Sequence, residues 1–215
     1  MKHISKILCS VAVAGLSACS TPATAPDFDR LTADIVKASF RDEGMAKVGR
    51  LQQDEANRAC SSADVAGKPL DAVAASAIQD ASRKTLKLPT DGNYLGDWKE
   101  GEKIAQSGRG LTWTDNPTEP NGGNCYNCHQ ITKDEVSFGT IGPSLYNYGK
   151  LRGVADRASP QAKVIMDYTW NKIWNSRASN ACSNMPRFGH NGILTEQQIK
   201  HVMALLLDPK SAVNQ

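Results

Sequence analysis

The sequence predicts an all-α protein: a helical extension over residues 29–90, a second helical domain over 91–209 and a short tail at 210–215. Three observations carry this. Apolar residues recur at three-to-four-residue spacing in stretches from Leu31 to Leu206. Helix-start chemistry stands at Asp97, Ser159 and Thr195. Between the first two of these lies Cys125-Tyr126-Asn127-Cys128-His129, in a loop rich in Asn, Pro and Gly, and the second domain is organised around it.

Residues 1–18 read as an export signal and are set aside from the fold. Lys2 and Lys6 make a positive start, and Ile7 to Leu16 is an apolar run too short to span a bilayer as a helix. The run ends in Leu16-Ser17-Ala18-Cys19, which resembles the lipobox of bacterial lipoproteins; there Cys19 would be acylated and lead the mature chain. An ordinary cleaved signal, with Cys19 incidental or cleavage near Ala25, is the other reading, and lipidation is favoured. Both readings export the chain, to a periplasmic site that is either free or anchored to the membrane through Cys19. Residues 19–28 then form a flexible tether.

In the extension, Leu31, Ile35 and Ala38 share one helical stripe, and Met45, Val48 and Leu51 a second. Asp71 to Leu86 is alanine-rich, with Val73, Ala77, Ile78 and Ala81 as a weak apolar face. Such small-faced helices need a larger body to lean on. Leu88-Pro89-Thr90-Asp91-Gly92-Asn93 is the expected boundary. Beyond it, Asp97 with Glu100 makes a capping-box pattern for a helix running to about Gln106. Ser159-Pro160 opens another, with Val164, Ile165, Tyr168 and Ile173 expected inside. Thr195 with Gln198, flanked by Leu194 and Ile199 as a staple, opens the last, whose stripe is Ile199, Val202, Met203 and Leu206.

Charge excludes some partners. The chain carries a net +3, and loss of Lys2 and Lys6 with the signal leaves it near neutral without a basic run, so nucleic acid and polybasic membrane binding are unexpected. From Lys133 to Arg187 there are 8 basic residues against 4 acidic ones, an excess that suits an acidic partner and equally a plain solvated surface.

Two thiols three apart with a histidine directly after the second read as a c-type haem attachment site. Each thiol, Cys125 and Cys128, adds across one vinyl group of a porphyrin, and the imidazole of His129 then lies under the iron. A zinc half-site or a thioredoxin-like pair would also use Cys-x-x-Cys. No second such pair exists to complete a zinc site, and Gly122-Gly123 is unlike a strand-to-helix redox turn. One covalent haem c would also supply the large apolar body that a chain with only 6% aromatic residues lacks. The sixth ligand is Met185, in the loop Asn184-Met185-Pro186-Arg187-Phe188-Gly189, or His190 five residues later; Met185 is favoured. Met166 and Met203 fall on apolar helix faces and read as core, while His201 reads as solvated.

Helix, haem motif, Gly142-Pro143 loop, helix, methionine loop and terminal helix together resemble the class I cytochrome c fold. The resemblance implies that the carbonyl of Pro143 accepts a hydrogen bond from the free ring nitrogen of His129, which fixes the imidazole. More narrowly, Ala181-Cys182-Ser183-Asn184-Met185-Pro186-Arg187-Phe188-Gly189 is similar to the distal segment of SoxX, the monohaem subunit of the SoxAX cytochromes of bacterial sulfur oxidation. That likeness covers Gly92 to Leu207. It implies a heterodimer with a SoxA-type haem subunit, forming an L-cysteine S-thiosulfotransferase that conjugates thiosulfate to a cysteine of the carrier SoxYZ. The bond-forming chemistry falls on SoxA, and this chain passes electrons to a small soluble cytochrome c. An independent electron-transfer cytochrome, and an enzyme or sensor with an open haem position, remain alternatives. Lys150, Arg152 and Arg187 are expected on the rim that meets a redox partner.

Cysteine parity closes the reading. Cys9 leaves with the signal, Cys19 is lipidated or lost, and Cys125 and Cys128 hold haem, so Cys60 and Cys182 remain as an even pair in an oxidising compartment. A Cys60–Cys182 disulfide is expected; two buried free thiols, or a bond to a partner, are the alternatives.

Overall fold

Side chains supply the orphan amides at helix starts, and that fixes where the helices begin. A computed structural model describes residues 26–154 and 156–215; the signal segment with Cys9 and Cys19 lies outside the described residues. The chain divides at Phe40/Arg41 into two units. In the first, Asp27 accepts from the Arg30 amide at 3.0 Å and opens α1, Phe28–Ser39.

Six further α-helices are described in the second unit, Arg41–Gln215: α2 Glu55–Val65, α3 Ala72–Arg83, α4 Trp98–Gln106, α5 Tyr148–Leu151, α6 Pro160–Trp174 and α7 Glu196–Leu207. No β-strand occurs among the described residues. Asp54, Asp71, Asp97, Ser159 and Thr195 cap α2, α3, α4, α6 and α7. At Thr195 the capping box with Gln198 is complete. At Asp97 it is not: the carboxylate takes the Lys99 amide, and Glu100 turns to Lys103 at 2.7 Å.

α7 is the centre of the core. Ile199, Met203, Leu205 and Leu207 are fully buried, and α4 crosses α7 so closely that a β-carbon on Gly101 would stand 2.1 Å from the His201 carbonyl oxygen. Glycine at 101 is what lets the two helices meet. His201 is therefore not a free surface histidine: its Nδ1 accepts from the Asp97 amide at 2.8 Å and links the start of α4 to the middle of α7. Residues 210–215 pack as well. Val213 is fully buried, and the Asn214 amide donates to the Leu206 and Asp208 carbonyls at the end of α7.

The expected boundary at residues 88–93 lies inside the second unit. Lys87 O accepts from Trp170 Nε1 at 2.7 Å, Asp91 meets the buried Lys200 at 2.7 Å, and Thr90 bonds Glu196 at 3.0 Å. The extension thus supplies α1 to one unit and α2 and α3 to the other. The expected helix through Met45, Val48 and Leu51 is only a 3-10 turn, Val48–Leu51, whose first amide bonds the Asp42 carboxylate at 2.8 Å. On α6 the inward face differs from the expected one: Ala162, Thr169, Trp170 and Ile173 are buried, while Val164 is 66% and Tyr168 42% exposed. Trp170 and Trp174 determine that face, stacked at 6.0 Å and bonded to the 85–87 backbone.

Candidate haem site

The Cys125–Asn127 segment is a single 3-10 turn entered through Asn124 in the left-handed conformation, φ +50°. Two backbone bonds tie its approach to α4: Gly123 N donates to Ile104 O at 2.7 Å and Asn124 N to Ser107 O at 2.9 Å. Tyr126 is buried behind the turn and bonds Glu102 of α4 at 2.8 Å. The turn leaves Cys125, Cys128 and His129 on the wall of a cavity of about 580 Å³.

His129 is oriented by the chain itself. Its Nδ1–H donates to the Pro143 carbonyl at 2.7 Å, so Nε2 is the nitrogen left to ligate a metal. A β-carbon on Gly142 would fall 2.1 Å from the imidazole, so only glycine permits the Pro143 loop to close over that ring. Burial pushes the Cys125 thiol up to about 12. That direction is opposite to the lowered pKa of a reactive redox thiol.

Met185 lines the same cavity, between Asn184 and Pro186. Its carbonyl accepts from the buried Ser176 hydroxyl at 2.7 Å, and its amide donates to Ser183 Oγ at 3.3 Å. His190 does not line it. It stands on a second cavity of about 400 Å³, walled by alanines of α2 and α3 and by Asp54, Arg177 and Arg187. Burial and the neighbouring Arg187 charge lower the His190 pKa.

That second group is the clasp sequence reasoning missed. The buried Arg177 guanidinium donates to both Asp54 oxygens, at 3.0 and 2.9 Å, and to Asn57. Arg187, two residues past Met185, meets Asp54 at 2.8 Å. Arg187 is thus spent inside the protein; of the three cations expected on the rim, Arg152 lines the haem cavity and Lys150 and Arg187 do not. Burial would raise the Asp54 carboxyl, but the Asn57 amide and the two arginines outweigh it and hold the pKa below its usual value. Cys60 of α2 and Cys182 are disulfide-bonded, with Cα atoms 5.6 Å apart, so α2 is held to the methionine loop covalently as well.

Asp54→Asn should destabilise the protein by about 2 kcal/mol, less than the 3–5 kcal/mol for a fully buried pair because the carboxylate is 40% exposed. The folded pKa of Asp54 is depressed, so this contribution is present at neutral pH and is lost only as pH falls below the ordinary carboxylate range. Urea titrations at pH 7 and pH 3 check both points.

The residues on the cavity wall are chemically suited to a covalently held haem. Two thiols, an imidazole fixed at one nitrogen and a thioether line one apolar space, together with Ile131, Leu145, Phe188 and Leu205. A family model described as cytochrome c matches residues 121–209. A protein of Aquifex aeolicus (strain VF5), named as an uncharacterized lipoprotein, is 34% identical over 166 residues, covering 75% of this chain and 73% of its own. The chain belongs to the cytochrome c family. It carries covalently bound haem c, and electron transfer is its general role. Among the described residues no helix of this cytochrome c is long and apolar enough to cross a membrane, and no cluster of three or more metal-binding side chains occurs.

Proposed function

We propose that this cytochrome c is the electron-accepting monohaem subunit of a SoxAX-type complex, with Cys125 and Cys128 as thioether sites and His129 and Met185 as axial ligands. The observation that carries the electron-transfer reading is the shared cavity, which has His129 and Met185 on its walls and His190 outside. Haem bound here supplies one-electron chemistry. With His129 and Met185 both ligating, the iron would have no coordination site left for substrate, and no acid, base or nucleophile triad lines the cavity among the described residues. Thiosulfate conjugation to SoxYZ would then occur on the SoxA-type partner, and this chain would relay electrons to a small soluble cytochrome c.

What supports the narrower role is the Cys182-to-Gly189 segment. It resembles the SoxX distal loop, and the Cys60 bond and the Asp54 clasp hold it rigidly. Purification from the native host tests this: a second haem subunit should co-purify. A chain that emerges alone and reduces a terminal oxidase or reductase directly overturns the Sox assignment. It would leave an independent anchored cytochrome, the reading favoured by the lipoprotein name of the Aquifex relative and by Leu16–Cys19.

Axial ligation has its own test. Imidazole stabilises ferric iron better than a thioether does, so Met185→His should lower the potential, on the order of 0.1–0.2 V within the range of about 0.8 V that axial ligands span. An unchanged spectrum and potential in Met185→Ala would exclude Met185 as ligand.

A further inference from the structure

Two cations on the wall of the haem cavity have no anionic partner among the described residues. Tyr168, Thr169, Lys172 and Ile173 of α6 line it as one stripe, and Arg152 joins them from just past α5. Among the described residues no Asp or Glu lines this cavity. Nearby cations behave differently: Lys163 meets Asp167 at 2.7 Å and Arg157 meets Asp208 at 3.0 Å.

Both cations are held in place without an acid. The Arg152 guanidinium lies 4.5 Å from the centroid of the Tyr148 ring and 5.7 Å from that of Tyr168. Those π faces hold its plane and leave its N–H edge for an acceptor. Tyr148 is steadied by a 2.9 Å hydrogen bond to Thr169 of the α6 stripe. Lys172 is half-buried one turn beyond Tyr168, and burial pushes its ammonium pKa down. For Lys172, a cation partly taken from water without a counter-charge is costly, and Arg152, which stays exposed, offers its free N–H edge beside it, so the pair suits an anion.

Haem c brings two carboxylates. In the porphyrin the propionates stand on the edge away from the vinyl groups that the thiols consume. The thiols here come from the turn packed on α4, and the cations come from the α5–α6 side. We propose that Lys172 and Arg152 clamp the haem propionates and thereby raise the reduction potential. They act as positioning residues: neutralising the carboxylates removes negative charge that would favour ferric iron. The inference depends on haem c occupying this cavity and not on any Sox partner.

The test is a spectroelectrochemical titration of the isolated, haem-loaded protein. Lys172→Gln and Arg152→Gln should each lower the equilibrium constant for reduction about threefold to tenfold, tenfold being 59 mV for a one-electron couple. Lys172→Arg, which keeps the charge, should stay within about twofold of wild type. Lys163→Gln, on the same helix but paired with Asp167, should also stay within about twofold. The proposal is overturned if both cavity variants match wild type, or if Lys163→Gln falls as far as Lys172→Gln, since net charge alone would then account for the shift. A single variant that loses haem staining in denaturing gels overturns it too, because a propionate clamp leaves thioether attachment intact.

Discussion

Replacing Cys125 and Cys128 together by Ser should abolish covalent haem and, with it, the folded core of Arg41–Gln215. The thioethers are the only covalent hold on the group, so haem staining in denaturing gels should vanish. The structural consequence is as large. The cavity is about 580 Å³. At about 24 cal/mol per Å³, a void of that size would cost roughly 14 kcal/mol. That equals or exceeds the whole stability of a typical domain, about 5–15 kcal/mol. The walls must therefore collapse or admit water, and Ile131, Leu205 and Leu206 with them. The haem-free chain should keep helical far-UV dichroism, lose near-UV dichroism and bind a hydrophobic dye. Full haem staining in the double variant would refute thioether attachment, and a sharp near-UV spectrum would refute the dependence of the core on haem.

How much of this was legible in the sequence depends on how local the cause is. The haem motif and the last helix are local: five consecutive residues define the one, and Thr195, Gln198 and Ile199 start the other. The Pro143 contact is nearly so, with carbonyl and imidazole 14 positions apart in the chain. Helix α2 escaped notice because Glu55–Val65 has almost no apolar stripe; alanines and a disulfide hold it, and neither gives a strong period. The stripe through Met45, Val48 and Leu51 misled for the converse reason: periodicity was present without a helix to use it. On α6 the aliphatic residues drew attention to Val164, whereas the two tryptophans bury more area and set the face. The Asp54 clasp could not be read from sequence. Its partners stand 123 and 133 residues away, and nothing local distinguishes Arg177 from any exposed arginine.

The Cys60–Cys182 bond carries the other large effect. It joins residues 122 apart, and the chain-entropy model assigns a closed loop of that length about 4–5 kcal/mol. Little of this is recovered by other contacts. Arg177 and Arg187 also hold α2 through Asp54, but those ion pairs do not restrict the unfolded chain. The Cys60→Ser/Cys182→Ser protein should therefore lose about 4 kcal/mol. For a unit of this size that lowers Tm by roughly 8–16 °C, at 2–4 °C per kcal/mol. A second consequence follows from position. Cys182 lines the haem cavity, and Met185 is three residues further on. With the bond gone, the methionine loop keeps the Ser176 bond to Met185, the Phe188 and His190 backbone bonds to α6 and the Arg187 ion pair but has no covalent tie, so local opening should precede global unfolding. The absorption band of thioether-to-ferric-iron ligation should fade on heating well before helical dichroism does, whereas in the wild type the two should fade together. Mass spectrometry of the non-reduced wild type should give one peptide pair joining Cys60 to Cys182. Alkylation of both thiols without reductant, or an unchanged Tm in the double variant, would sink this account of the loop.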